Sequence, residues 1–136
     1  MIVVDASVIV AALVGRDASA ELLDLLTGDI DAPHLLDVEV LSALRRLELG
    51  RKLDPSVAEQ ARLDFFAFRI TRHDLEPLAE RIWQLRHQLT AYDASYIALA
   101  EALSAPLLSC DAKLATGGHG AEVHVLTRDP QPNQRC

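Results

Sequence analysis

An α/β fold with a parallel sheet covered on both faces is predicted, and three observations carry the prediction. Short apolar runs, such as Ile2-Val3-Val4 and residues 106–110, alternate with longer stretches of helical character. The first run is β-branched and apolar on consecutive positions, the pattern of a strand buried on both faces. The chain has 136 residues, half of them hydrophobic, enough for one domain around a single core.

The elements follow in order. Asp5 ends the first strand, and residues 6–13 suit a helix. A second helix is expected over 17–26, stopped by Thr27-Gly28, followed by a short strand over 30–33. Residues 35–49 form a strong helix, with Gly50 expected in the left-handed position past its end. Asp54 before Pro55 is a favoured helix start, and Ser56 with Glu59 offers a capping box two residues later; this helix reaches about Phe68. A strand is expected over 69–71, then one helix over 76–89, with Pro77 tolerable only in its first turn. An alanine-rich helix covers 92–103. A buried strand over 106–110, a short turn over 111–115 and a last strand over 123–126 complete the domain. The glycine-rich segment 116–120 reads as a mobile loop, with His119 and His124 as surface residues. One domain is expected over residues 1–126, with 127–136, which carries two prolines, as a disordered tail.

The net charge of −7 excludes a broadly basic nucleic-acid coat. It does not exclude nucleic acid, because clustered acids can hold divalent cations that reverse the local sign. Two cysteines are too few for a disulfide-framed secreted scaffold. Cys110 lies in an apolar run and Cys136 is the last residue, so no structural bridge is expected. The start lacks a basic signal region, and its longest apolar stretch is too short for a bilayer. A soluble cytoplasmic protein with no membrane partner is expected.

Parallel sheets bind ligands beyond the carboxyl ends of their strands. Two strands finish alike there, as Val4-Asp5-Ala6-Ser7 and Cys110-Asp111-Ala112-Lys113. Each acid also suits an ordinary N-cap. Glu39 falls at the margin of its helix's apolar arc, where pairing with Arg46 is the plain alternative. Asp93 shares a face with Tyr96, Ile97 and Ala100, again with a first-turn cap as the alternative. If the four converge, two like charges about 5 Å apart cost roughly 3 kcal/mol at an effective dielectric near 20. Raised pKa values, arginines or divalent cations would have to relieve that repulsion. Oxygen-only ligands suit hard cations such as Mg²⁺ or Mn²⁺.

This constellation resembles the PIN-domain family, specifically the VapC-like toxins of bacterial toxin–antitoxin pairs. The marks are Ile2-Val3-Val4-Asp5-Ala6-Ser7, then Leu36-Asp37-Val38-Glu39-Val40-Leu41-Ser42-Ala43-Leu44-Arg45. Tyr92-Asp93-Ala94-Ser95-Tyr96-Ile97-Ala98-Leu99-Ala100 and Leu107-Leu108-Ser109-Cys110-Asp111 complete them. The resemblance implies a three-layer α/β/α sandwich around a five-stranded parallel sheet and a metal-dependent endoribonuclease. It carries the family's acidic quartet onto Asp5, Glu39, Asp93 and Asp111, with Ser7 helping to order the site. It further implies an RNA substrate, a homodimer and a neutralising VapB-like antitoxin. The expected attack by water leaves a 5′-phosphate and a 3′-hydroxyl without using the ribose 2′-OH. Arg45, Arg46 and Lys113 are candidate phosphate contacts, though a solvated helix end explains the two arginines equally.

Two other readings are open. A phosphatase would use Asp5 as nucleophile, although Ser7 stands where the usual second acid would be. A non-catalytic protein-binding module would use the acids only as caps. A zinc site is poorly supported, since the five histidines show no close Cys/His ligand set.

Overall fold

The first strand, β1 (Ile2–Val4), lies at the centre of the sheet, and its Val3 and Val4 are fully buried. Consecutive apolar residues belong there, because a central strand has helices on both faces. The structure is a computed structural model and describes residues 1–15 and 19–126. It is a three-layer α/β/α sandwich. Around β1 the five strands run in the order β3-β2-β1-β4-β5, and every neighbouring pair is parallel. The others are β2 (Ile30–Pro33), β3 (Ile70–His73), β4 (Leu107–Ser109) and β5 (Val123–Val125).

On one side α1 (Ala6–Val14), α3 (Leu35–Leu49) and α4 (Pro55–Ala67) pack on one another. On the other, α6 (Ala91–Leu103) lies on β1 and β2, with α5 (Ala79–Gln84) against it. Residues Ala94 to Ala100 of α6 are all buried, since small side chains let this helix approach the sheet. The short α2 (Ala20–Leu26) is capped by Ser19; its expected start at Asp17 lies outside the described residues. So does the expected tail, 127–136. No helix among the described residues is long and apolar enough to cross a membrane.

Several expectations are corrected. Gly50 is not the left-handed residue: its φ is −78°, and Arg51 takes φ 58° instead. The amides of Arg51 and Lys52 bond Glu48 and Leu47 carbonyls at 3.0 and 2.9 Å, the pattern of a Schellman motif with Arg51 at C′. Glycine is nevertheless needed one residue earlier, because a Cβ at Gly50 would sit 3.0 Å from the Arg46 carbonyl oxygen. The helix expected over 76–89 is shorter. A 3₁₀ turn over Glu76–Leu78 precedes α5, which ends at Gln84. Beyond it the Trp83 carbonyl is taken by both the backbone amide and the guanidinium of Arg86, at 3.2 and 2.8 Å. Asp54 does precede α4, but its side chain makes no cap bond, and Glu59 pairs with Arg62 rather than closing a capping box.

The segment 116–120 is tied rather than loose. His119, half-buried, meets the Leu114 carbonyl through Nε2 at 2.6 Å and accepts from the Ala121 amide at 3.2 Å. The Gly120 amide donates to Glu101 at 2.8 Å. Cys110 is half-buried just past β4 rather than inside the sheet, and it is disulfide-bonded, against expectation; Cys136 lies outside the described residues.

A non-glycine residue in the left-handed region costs about 1 kcal/mol. Arg51→Gly should therefore raise the unfolding free energy by about that much, seen as a higher urea midpoint at unchanged slope.

Candidate active site

All five strands are parallel, so their carboxyl ends share one edge of the sheet. The strand order reverses between β1 and β4, one leading towards β2 and the other towards β5. Crevices at such switch points are where open α/β sheets bind ligands. Asp5 and Asp111 follow β1 and β4, side by side, and the Asp5 amide bonds the Leu108 carbonyl at 3.3 Å.

Asp5 is buried, at 8% exposure. It caps α1 through Oδ1, which accepts from the Val8 amide at 3.3 Å and from the Ser7 hydroxyl at 2.5 Å. Its Oδ2 accepts from Ser109 at 2.5 Å. An ionised carboxylate offers about four lone-pair sites, and these three bonds, with the Ser7 backbone amide also directed at it, take up most of them. Both oxygens are held and the residue is buried, which does not suit an attacking nucleophile and weakens the phosphatase reading. Ser7 also accepts from the Cys110 amide at 3.0 Å, and Ser109 accepts from the Asp111 amide at 2.9 Å. The two hydroxyls thus stitch the end of β1 to the end of β4. Asp111 caps the 3₁₀ turn Ala112–Ala115, accepting from the Lys113 amide at 3.0 Å.

Glu39 projects from α3 and accepts from the Tyr96 hydroxyl at 2.5 Å. Tyr96 is 2% exposed and holds Glu39 across the two helices. Asp93 is not the cap of α6. Thr90 is, its Oγ1 accepting from the Asp93 amide at 3.2 Å. The Asp93 carboxylate is released from that duty and lies half-buried in the first turn.

The charges act on one another. Burial raises the pKa of Asp5 despite its hydrogen bonds. Burial also raises Glu39, and the charges of Asp5 and Asp93 add to the effect, while Tyr96 and Arg46 oppose it. Asp93 is raised by burial and by Asp111, with Thr90 and Lys113 opposing. Burial and the neighbouring Glu39 push the Tyr96 phenol up, so it remains a donor. Among the described residues, none of the four acids is in an ion pair; the salt bridges lie elsewhere, as in Arg72–Asp37 and Arg81–Glu101, both at 2.8 Å. Nor do any three His, Cys, Asp or Glu side chains among the described residues form a closed cluster for a metal ion. The donor set is all carboxylate, and no ion pair among the described residues neutralises it. That fits a hard cation held by a few acids, with water or phosphate oxygens completing its shell.

Of the basic residues expected near phosphates, Arg45, Arg46 and Lys113 are exposed. Arg46 and Lys113 act electrically on Glu39 and Asp93; no such link is seen for Arg45. Sequence reasoning missed Ser109 and Tyr96. The spacings Ser109-x-Asp111 and Asp93-x-x-Tyr96 were legible, but a buried serine or tyrosine in an apolar run reads as core.

A carboxyl with a raised native pKa binds its proton more tightly folded than unfolded. The stability it confers is present below its unfolded value, 3.8 for Asp and 4.5 for Glu, and is lost as pH rises through the native value. Without divalent cations, Asp93→Asn should therefore melt at least as high as the parent at neutral pH. Its advantage should shrink as pH falls into that range, as measured by scanning calorimetry in chelator. Thr90→Ala, which removes the true cap, should cost about 1 kcal/mol, and more at neutral pH than at low pH because the hydroxyl also favours the charged form of Asp93.

Known proteins share this fold and much of this sequence. The PIN domain family model matches residues 2–118. Ribonuclease VapC9 of Mycobacterium tuberculosis is 41% identical over 129 residues, covering 94% of this chain and all of the relative. Ribonuclease VapC1 of the same species is 50% identical over 117 residues, covering 83% and 87%. Among solved structures, PAE2754 from Pyrobaculum aerophilum superposes with a TM-score of 0.68 at 24% identity, covering 89% of this chain and 81% of that one. VapBC2 from Rickettsia felis, bound to a DNA fragment from their promoter, gives 0.67 at 18% identity, covering 92% and 98%. These two share the fold. With a family match over most of its length and relatives this similar, the chain belongs to the PIN-domain family, alongside its VapC ribonucleases.

Proposed function

We propose that this chain is an endoribonuclease toxin of the VapC kind, using Mg²⁺ or Mn²⁺ and neutralised by a cognate VapB-like antitoxin. The observation that carries the reading is the group of four carboxylates at the switch point, three with raised pKa values and none paired with a base. The relatives named ribonucleases support RNA as the substrate.

Asp5, Glu39, Asp93 and Asp111 would hold the cation. When bound, it neutralises their charge and that of the scissile phosphate and acidifies water. The chain's own residues do the rest. Ser7 and Ser109 fix the Asp5 carboxylate, and Tyr96 fixes Glu39. Glu39, oriented by Tyr96, is placed to accept a proton from the attacking water, and the leaving 3′ oxygen takes a proton from solvent, giving a 5′-phosphate and a 3′-hydroxyl. Arg46 and Lys113 add positive potential beside the acids, and Arg45 lies on the same helix end as a further phosphate contact. Residues 1–126 form the nuclease domain of this reading, acting in the cytoplasm. Exposed Val38, Leu41 and Leu49 on one side of α3 support pairing into a homodimer.

A labelled RNA panel incubated with Mg²⁺, with chelator, and with Asp93→Asn tests this. Cleavage should require Mg²⁺ and fall more than about a hundredfold in the variant. Cleavage that survives chelation would remove the cation from the reading. Absence of cleavage, together with no Mg²⁺-induced rise in melting temperature, would remove the catalytic role of the acids and favour a binding module.

A further inference from the structure

Beside the acids, towards β2 and β3, lies a cavity of about 280 Å³, near the lower end of ligand-pocket sizes. It is continuous in structure with the acid site. The first turns of α6 give Tyr92 and Ser95 to the cavity and Asp93, between them, to the acids. The first turn of α3 gives Leu35 to the cavity, and Glu39 stands one turn on.

Its chemistry differs from that of the acid site. Pro33, Leu35 and Leu75 make apolar walls, and Tyr92, 61% exposed as a residue, stands at the cavity's edge. Among the described residues no lysine or arginine lines it, so it offers a phosphate no fixed cation, whereas a flat neutral ring meets apolar walls. Two histidines line it: His34, exposed, faces Asp74 through Nε2 at 3.2 Å, and His73 is the one held by a buried partner. His73 Nε2 lies 2.7 Å from the Oδ2 of Asp31, a carboxylate buried to 7% exposure in β2. A carboxylate oxygen accepts, so Nε2 is the donor of this pair, and the Nδ1 edge of the ring is left for a ligand's hydrogen bond. The arrangement is an apolar slot, an aromatic edge and one oriented hydrogen-bonding group. Those are the parts with which proteins hold an unstacked base of single-stranded RNA.

We propose that this cavity receives one nucleobase of the RNA adjacent to the scissile phosphate, stacked on Tyr92 and read by His73. The choice of base there sets which sequence is cut. The inference rests on the ribonuclease reading for its place in cleavage, but base binding itself does not need cleavage.

The test therefore has two arms. In the first, the full chain in chelator is titrated with adenosine, guanosine, cytidine and uridine while the ring protons of Tyr92 and His73 are followed by NMR. Ribose 5-phosphate serves as the baseless control. Both rings should shift saturably with at least one nucleoside and not with the control. Tyr92→Ala, which alters an exposed ring and leaves the core intact, should weaken that binding about tenfold or more, the loss expected of one stacked base. Tyr92→Phe should retain it. In the second arm, cleavage products of a randomised RNA are sequenced. Tyr92→Ala and His73→Asn should lower kcat/KM for the preferred sequence by a similar factor and erase the preference at one position beside the cut. Absence of ring shifts with every nucleoside would overturn the proposal. So would an unchanged cleavage pattern in Tyr92→Ala; if that variant also changed its association state in sedimentation, the cavity would belong to a second copy of the chain. Nucleoside binding by a protein that cuts no RNA would overturn the ribonuclease reading and the cavity's place in cleavage together, while leaving a nucleoside site.

Discussion

The carboxylate of Asp5 is the constraint around which the rest of the site is arranged. A charge taken out of water at the centre of a sheet is costly unless its oxygens are satisfied. Here two hydroxyls and one amide satisfy them, and both hydroxyls are also tied to the neighbouring strand end. Asp5 therefore does two things at once. It caps α1, and it locks β1 to β4 where the chain reverses its direction of winding. Removing Ser109 would leave Oδ2 without its partner, removing Ser7 would leave Oδ1 with the Val8 amide but cut the tie to Cys110, and either would loosen the edge of the site.

Around this anchor the other acids are set at decreasing depth. Glu39 and Asp93 are half-buried, each raised by burial and by an acidic neighbour. Such an arrangement is unfavourable for the isolated fold, and nothing in the local helices requires it. Tyr96 holds Glu39 in the shared field, and Thr90 takes over the capping that Asp93 would otherwise perform. A site that keeps its repulsion, and spends other residues on capping and orientation, is organised to receive positive charge.

Much of the fold was legible. Strands over 2–4 and 30–33 and the helix over 35–49 agree with the expectation residue for residue: the first strand is an unbroken apolar run, the second lies between Gly28 and the next helix, and the helix has a repeating apolar face. Misreadings fell where local signals competed. Gly50 has the identity of a C′ residue, but the close Arg46 carbonyl, not a left-handed backbone, requires it. The 76–89 segment has helical composition, yet Arg86 takes the Trp83 carbonyl and the turns tighten. The glycines at 117 and 118 do adopt positive φ, but His119 and Glu101 anchor the segment around them.

The candidate site divides in the same way. Sequence alone determined that acids follow two strands of a parallel sheet and that two more stand on helices, because strand ends and helix faces are periodic properties of a chain. Only the tertiary structure decided which of them are caps, which share a field, and which neutral residues hold them. Ser109 meets Asp5 across 104 positions and Tyr96 meets Glu39 across 57. A hydroxyl's value as a donor to a buried carboxylate depends on that partner being brought within about 3 Å. Nothing in the local pattern around a buried serine or tyrosine records what lies opposite it.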